Sequence, residues 1–124
     1  MRLPFEGALG EMLKRMLEPQ LREMQEQMRK VEEELEGEVL EASAGGGAVK
    51  VRISASGDFK EVRIDPSVVN PEDVGMLQDL VLAAVREAQR MAEERRRERM
   101  GELAQRQLKE LGNFLGLGPK GGAG

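Results

Sequence analysis

Residues 93–100 read EERRRERM, with four arginines in eight positions. With Arg86 and Arg90 they extend along what reads as the end of a long helix. Arg86, Arg90 and Arg97 are four and seven residues apart and share a helical face, Arg95 and Arg99 share a neighbouring one, and Arg96 lies between. A guanidinium fork donates two hydrogen bonds to one phosphate, so such a band can follow a polyanion backbone without reading any base. An earlier helical stretch adds Lys14, Arg15, Arg22, Arg29 and Lys30 as a second arm. The competing reading is a solvated helix face, because Glu93, Glu94 and Glu98 stand three and four residues from these arginines and can pair with them.

Other chemistry finds little support. The chain has no His and no Cys, which removes imidazole bases, thiolate nucleophiles, disulfides and zinc sites of the Cys/His type. Carboxylates are abundant, as in Glu32-Glu33-Glu34, but acid–base catalysis needs two acids with separated pKa values in a water-poor site, and these positions read as solvated helix. Gly45-Gly46-Gly47 lacks the Lys-Ser/Thr pair and following helix of a phosphate loop and reads as a turn. Asp65-Pro66 reads as the end of a strand rather than part of a metal site. The methionines fall at helical spacing and read as core or seam rather than an adaptable binding surface. No catalytic residue, cofactor, metal or small-molecule substrate is expected.

Nineteen basic residues stand against 23 acidic ones, a net charge of −4, although residues 86–109 hold eight basic and five acidic groups. The overall pI of about 5.1 opposes a uniform pull on nucleic acid. Tyr and Trp are absent and Phe5, Phe59 and Phe114 are the only aromatics, which disfavours base stacking on single strands. No stretch approaches the roughly 18–20 apolar residues that span a bilayer, and the N-terminus lacks the apolar run of a signal peptide, so no membrane association and a cytoplasmic location are expected.

These side chains need a scaffold. Leu17, Leu21, Met24, Met28, Val31 and Leu35 recur every 3.5 residues on average, the seam of a helix packed along another helix. Pro19 should begin the main helix and leave residues 8–18 as a separate or kinked piece. The period then changes to two. Val49, Val51 and Ile53 alternate with polar residues, as do Val62 and Ile64, and with a weaker strand at 38–43 they predict a three-stranded antiparallel meander. Gly45-Gly46-Gly47 and Ser56-Gly57-Asp58 supply its turns. Asn70-Pro71 should cap and open a long second helix, whose seam is Val74, Leu77, Val81, Ala84, Ala88 and Met91. So small a chain with two such seams points to a homodimer, with Leu21, Met24, Met28, Val31, Leu77, Val81, Ala84, Ala88 and Met91 as the candidate dimer seam. Gly101 should weaken the helix, leaving residues 101–115 as a short amphipathic extension and 116–124 as a flexible glycine-rich tail beyond a domain of residues 1–100.

The order helix, meander ending in Val62-Arg63-Ile64-Asp65-Pro66-Ser67, long helix resembles the bacterial YbaB/EbfC family of nucleoid-associated proteins. Met24-Gln25-Glu26-Gln27-Met28, Gly47-Ala48-Val49-Lys50-Val51 and the run from Met76 to Ala84 carry the likeness, which covers about residues 8–100. The resemblance implies an α+β fold, a tweezer-like homodimer with protruding helices, and non-enzymatic binding of double-stranded DNA with limited sequence preference, at the nucleoid. Weighed against it is a coiled-coil-type adaptor that uses the C-terminal segment to hold a protein partner, for instance one in DNA recombination or repair.

Overall fold

The computed structural model describes residues 6–117. Their order is α1 (Glu6–Gly37), β1 (Val39–Ala44), β2 (Val49–Ser54), β3 (Phe59–Ile64), a 3₁₀ turn (Pro66–Val68) and α2 (Val74–Phe114), with the strands in a β1-β2-β3 antiparallel sheet. The expected α+β class and three-stranded meander are present. The tail expected over 116–124 lies mostly outside the described residues. The chain divides into a sheet unit, residues 31–102, and a helical unit made of residues 1–30 and 103–124.

In the sheet unit, alternation decides the core. Val49, Val51 and Ile53 of β2 are at most 1% exposed, while Lys50 and Arg52 between them face water. Ala84, Ala88 and Ala92 of α2 recur every fourth residue and are buried on the same core, with Ala42 of β1. Alanine at these positions lets helix and sheet approach closely. Val31 and Leu35 are buried as well. Three residues of the candidate dimer seam, Val31, Ala84 and Ala88, are therefore buried within one chain. The 3.5-residue spacing identified an apolar stripe without saying what would cover it.

Both tight turns use left-handed glycines. Gly46 and Gly47, φ +66° and +94°, sit at the centre of the turn closed by Ala48 N–H donating to the Gly45 carbonyl, a conformation that costs other residues about 1–2 kcal/mol. The other turn is pinned by a polar network. The Ser54 hydroxyl, fully buried, accepts from the Asp58 N–H at 3.1 Å and lies 2.6 Å from the Ser56 hydroxyl. Glu36 at the end of α1 accepts from Ser54, Ser56 and Lys60.

Three boundaries differ from the sequence expectation. α1 runs unbroken through Pro19, which sits inside the helix at the cost of a lost backbone hydrogen bond. α2 begins three residues later than expected. Asn70 closes a turn by accepting from the Glu72 N–H, and Asp73 caps the helix, its Oδ1 accepting from the Met76 N–H at 3.2 Å. α2 also passes through Gly101, whose propensity cost of about 1 kcal/mol is too small to end a helix that continues to be packed.

In the helical unit Leu103 is buried, Gln107 donates to the Met24 carbonyl at 2.9 Å, and Gln27 donates to Glu110 at 2.9 Å. Residues 103–114 are thus an integral partner of the first part of α1 rather than an appendage. α2 stops in a Schellman motif: Gly116, φ +76°, donates to the Asn113 carbonyl and Leu117 to the Gly112 carbonyl at 2.7 Å.

Candidate nucleic-acid interface

The expected cations divide by what they already hold. Arg96 makes a two-pronged contact with Glu32 at 2.9 and 2.6 Å, Arg95 bonds Glu38 at 2.7 Å and Glu98 at 3.3 Å, and Arg99 bonds Glu34 and Glu102. Arg90 clamps Glu87 and reaches Glu94 at 2.8 Å. On α1, Arg29 pairs with Glu26 and Arg22 stands 3.7 Å from Glu18. The guanidinium hydrogen bonds hold the carboxyls of Glu26, Glu32 and Glu87 below their ordinary range, so each pair is charged on both sides near neutral pH. Most of the arginines in EERRRERM are therefore locally neutralised. Much of that neutralisation comes from Glu32, Glu34 and Glu38, some 60 residues earlier, and no helical spacing could have pointed to it.

The remaining expected cations are exposed and hold no ion pair among the described residues. Lys14 and Arg15 on α1 and Arg86 and Arg97 on α2 are exposed and make no ion pair with any described residue; Lys30 is exposed within the electrostatic reach of Glu26. Arg106 and Lys109, outside the expected set, are equally exposed and unpaired, and so are Lys50 and Arg52 on the outer face of β2. Charge accounting by unit is the signal that finds the first two. Among the described residues the helical unit carries seven basic and six acidic residues, net +1, whereas the sheet unit carries ten and seventeen, net −7. An acidic overall pI conceals this separation.

The sheet unit also has an open apolar face. Register places Ile64 beside Val49 and Val62 beside Val51, on the side that α2 covers over β1 and β2 but not over β3. Val62, Ile64 and Leu82 are 49%, 40% and 47% exposed. Ile64, Leu77, Val81, Leu82 and Val85 line a groove of about 420 Å³ there. Leu77, Val81 and Met91 of the candidate seam are only partly buried against the core. In the helical unit Leu21 and Met28 are about half exposed, with Met24 between the two states. Among the described residues no group of acids is arranged to hold a metal ion, and no helix is long and apolar enough to cross a membrane.

Comparison with known proteins places this arrangement. The sequence profile of the YbaB/EbfC DNA-binding family matches residues 9–107, both helices and the whole sheet. The chain belongs to the YbaB/EbfC family. Its relatives include nucleoid-associated proteins of Dictyoglomus thermophilum, 51% identical over 85 residues that span 68% of this chain and 82% of the relative, and of Acetivibrio thermocellus, 50% identical over 90 residues, 73% and 75% of the two chains. Among solved structures, an uncharacterized protein from Helicobacter pylori shares the fold with a TM-score of 0.66 at 24% identity, covering 71% of this chain and 92% of its own. The YbaB/EbfC match continues seven residues beyond position 100, where the sequence resemblance ended, in keeping with an α2 that does not stop at Gly101.

Proposed function

We propose that this chain binds double-stranded DNA as a homodimer, mainly through backbone phosphates and with limited sequence preference, and acts at the nucleoid in the cytoplasm by altering DNA conformation, nucleoid organisation and gene expression. The observation that carries this is the match to the DNA-binding family over residues 9–107. The free cations Lys14, Arg15, Arg86 and Arg97 support the phosphate reading, because a charge with no carboxylate partner gains most from a phosphate. Arg95, Arg96 and Arg99 would first have to leave their glutamates. Arg106 and Lys109 join the binding set, and Arg22, Arg29, Lys30 and Arg90 contribute less, each being already paired or near an acid.

The open face of β3 with the start of α2 supports the homodimer. A two-fold axis beside Val62, Ile64 and Leu82 buries one copy's groove against the other's, the isologous arrangement that most soluble oligomers use. Val62→Glu should abolish the contact across β3, so that sedimentation shows a smaller assembly than the wild type, while far-ultraviolet circular dichroism stays unchanged. Gel shifts on duplex DNA test the function. Binding should weaken steeply as salt rises, and a shift insensitive to salt, or none at low salt, would sink the proposal.

The adaptor reading draws on the apolar residues near the end of α2, but removing residues 102–124 cannot separate it from DNA binding. Leu103 is buried and Gln107 holds Met24, so the truncation strips the packing from α1 as well.

A further inference from the structure

The helical unit has an apolar side that its own two helices leave open. Leu13, Met16, Leu17 and Leu21 of α1 with Leu111 and Leu115 of α2 line a groove of about 330 Å³. At 100° per residue, positions 13, 16, 17, 20, 21 and 24 of α1 fall in one arc, whereas Arg15 and Arg22 fall opposite. The unit therefore has a dry side and a cationic side. Ten of its large apolar side chains are between 41% and 78% exposed. Together they offer on the order of 1,000 Å² to water, beyond the few hundred Å² usual on a monomer and matching the ~800 Å² that each partner brings to a standard interface.

A second copy of this chain is the occupant that fits. Two antiparallel helices with one unpacked side are half of a four-helix bundle, and a two-fold axis completes it with an identical half. The patch is self-complementary, since Leu108 and Leu115, 72% and 52% exposed, stand as knobs beside the groove that would receive their counterparts. A small molecule fits poorly, because the groove offers almost no polar group to orient one.

We propose that this face is a homotypic docking surface on which the helical units of two copies close a four-helix bundle. It shares no residue with the β3 face, and joined to the β3 homodimer proposed above about a second two-fold axis it assembles the chain beyond a dimer, into a closed tetramer or an open chain. Such an assembly presents several cationic surfaces and holds more than one DNA segment. The size beyond a dimer rests on the proposed β3 homodimer and the last consequence on the DNA-binding reading, whereas the helical-unit contact rests on neither.

Sedimentation velocity of the full-length chain over a range of concentrations tests it. The wild type should show species larger than a dimer, and Met16→Glu/Leu115→Glu should weaken their formation by roughly a hundred-fold or more, because each contact would bury charge on both copies. Met16→Lys/Leu115→Lys must do the same, which separates lost burial from altered charge. Both positions are about half exposed, and Leu108→Glu, at the most exposed knob, provides a second test less demanding of the fold. Val62→Glu should retain the helical-unit contact. A monomeric Val62→Glu variant, association that survives in the glutamate variants, or a loss with glutamate but not with lysine would each overturn the proposal. Gel shifts of the same variants at low protein concentration distinguish its failure from that of DNA binding, since single-duplex affinity should persist when the larger species are lost.

Discussion

Neutralised and free arginines make opposite predictions for salt dependence. If a cation displaces counterions from phosphates, each contact contributes about 0.9 to the slope of log K against log salt. Arg86→Gln/Arg97→Gln removes two free charges per chain and four per homodimer, so the slope should fall by up to about 3.6. Across a fourfold rise in salt, that difference amounts to roughly two decades of affinity. Lys14→Gln/Arg15→Gln has the same ceiling, and the ratio of the two effects says which unit carries the DNA. The control is Glu32→Gln/Arg96→Gln, which deletes a pair that is charge-neutral as it stands, with side chains 40% and 43% exposed, and should leave the slope unchanged. Exposed pairs of this kind contribute under about 1 kcal/mol to stability, so the control should also fold. Fluorescence anisotropy of a labelled duplex titrated at several salt concentrations measures all three. A normal slope in both free-cation variants, with a collapsed slope in the paired control, would refute the division of arginines into free and occupied.

Two further outcomes probe the scaffold. Hydrogen bonds from Lys60, then Ser56, hold the Glu36 carboxyl down to about 2 against an ordinary 4.5. A group whose folded pKa is depressed stabilises the fold above its unfolded value and loses that contribution as pH falls through the folded one. Thermal melts should therefore show Glu36→Gln less stable than wild type near neutrality, with the gap closing between about pH 4.5 and pH 2; a gap constant across that window would contradict the network. Gly45 and Gly46 have φ of +63° and +66°, so alanine at either should cost about 1–2 kcal/mol in urea unfolding. Gly45→Ala should cost more than Gly46→Ala, because its Cβ meets Leu80 Cδ2 at 2.9 Å whereas nothing lies within 4 Å at position 46.

Local patterns carried most of the fold. The two-residue alternation of Val49, Val51 and Ile53 located β2, and Gly45-Gly46-Gly47 and Ser56-Gly57-Asp58 located the two turns, because strand sidedness and left-handed backbone are properties of a few adjacent residues. The helix boundaries were less legible. Asn70 and Asp73 are both competent caps and Gly101 is only a weak breaker, so those choices depended on packing further along the chain, while α1 carries Pro19, a strong breaker, in its interior. The candidate site was legible in kind but not in detail. Residue types and spacing indicated an arginine-rich helix mixed with acids, whereas Glu32 and Glu34 of α1 and Glu38 just after it, which pair with Arg96, Arg99 and Arg95, are far away in sequence.

The sequence by itself determined the element types, the absence of His and Cys chemistry, and the presence of apolar stripes on both helices. Tertiary structure alone decided which charges remain available and which apolar residues remain uncovered. Ala84 and Ala88 were consumed by the sheet, while Val62 and Ile64, with the same alternating pattern as β2, stayed open because α2 lies over only part of the sheet. Both outcomes follow from one physical fact: periodicity specifies the side of an element that avoids water, but only the packing of distant segments specifies what, if anything, covers it.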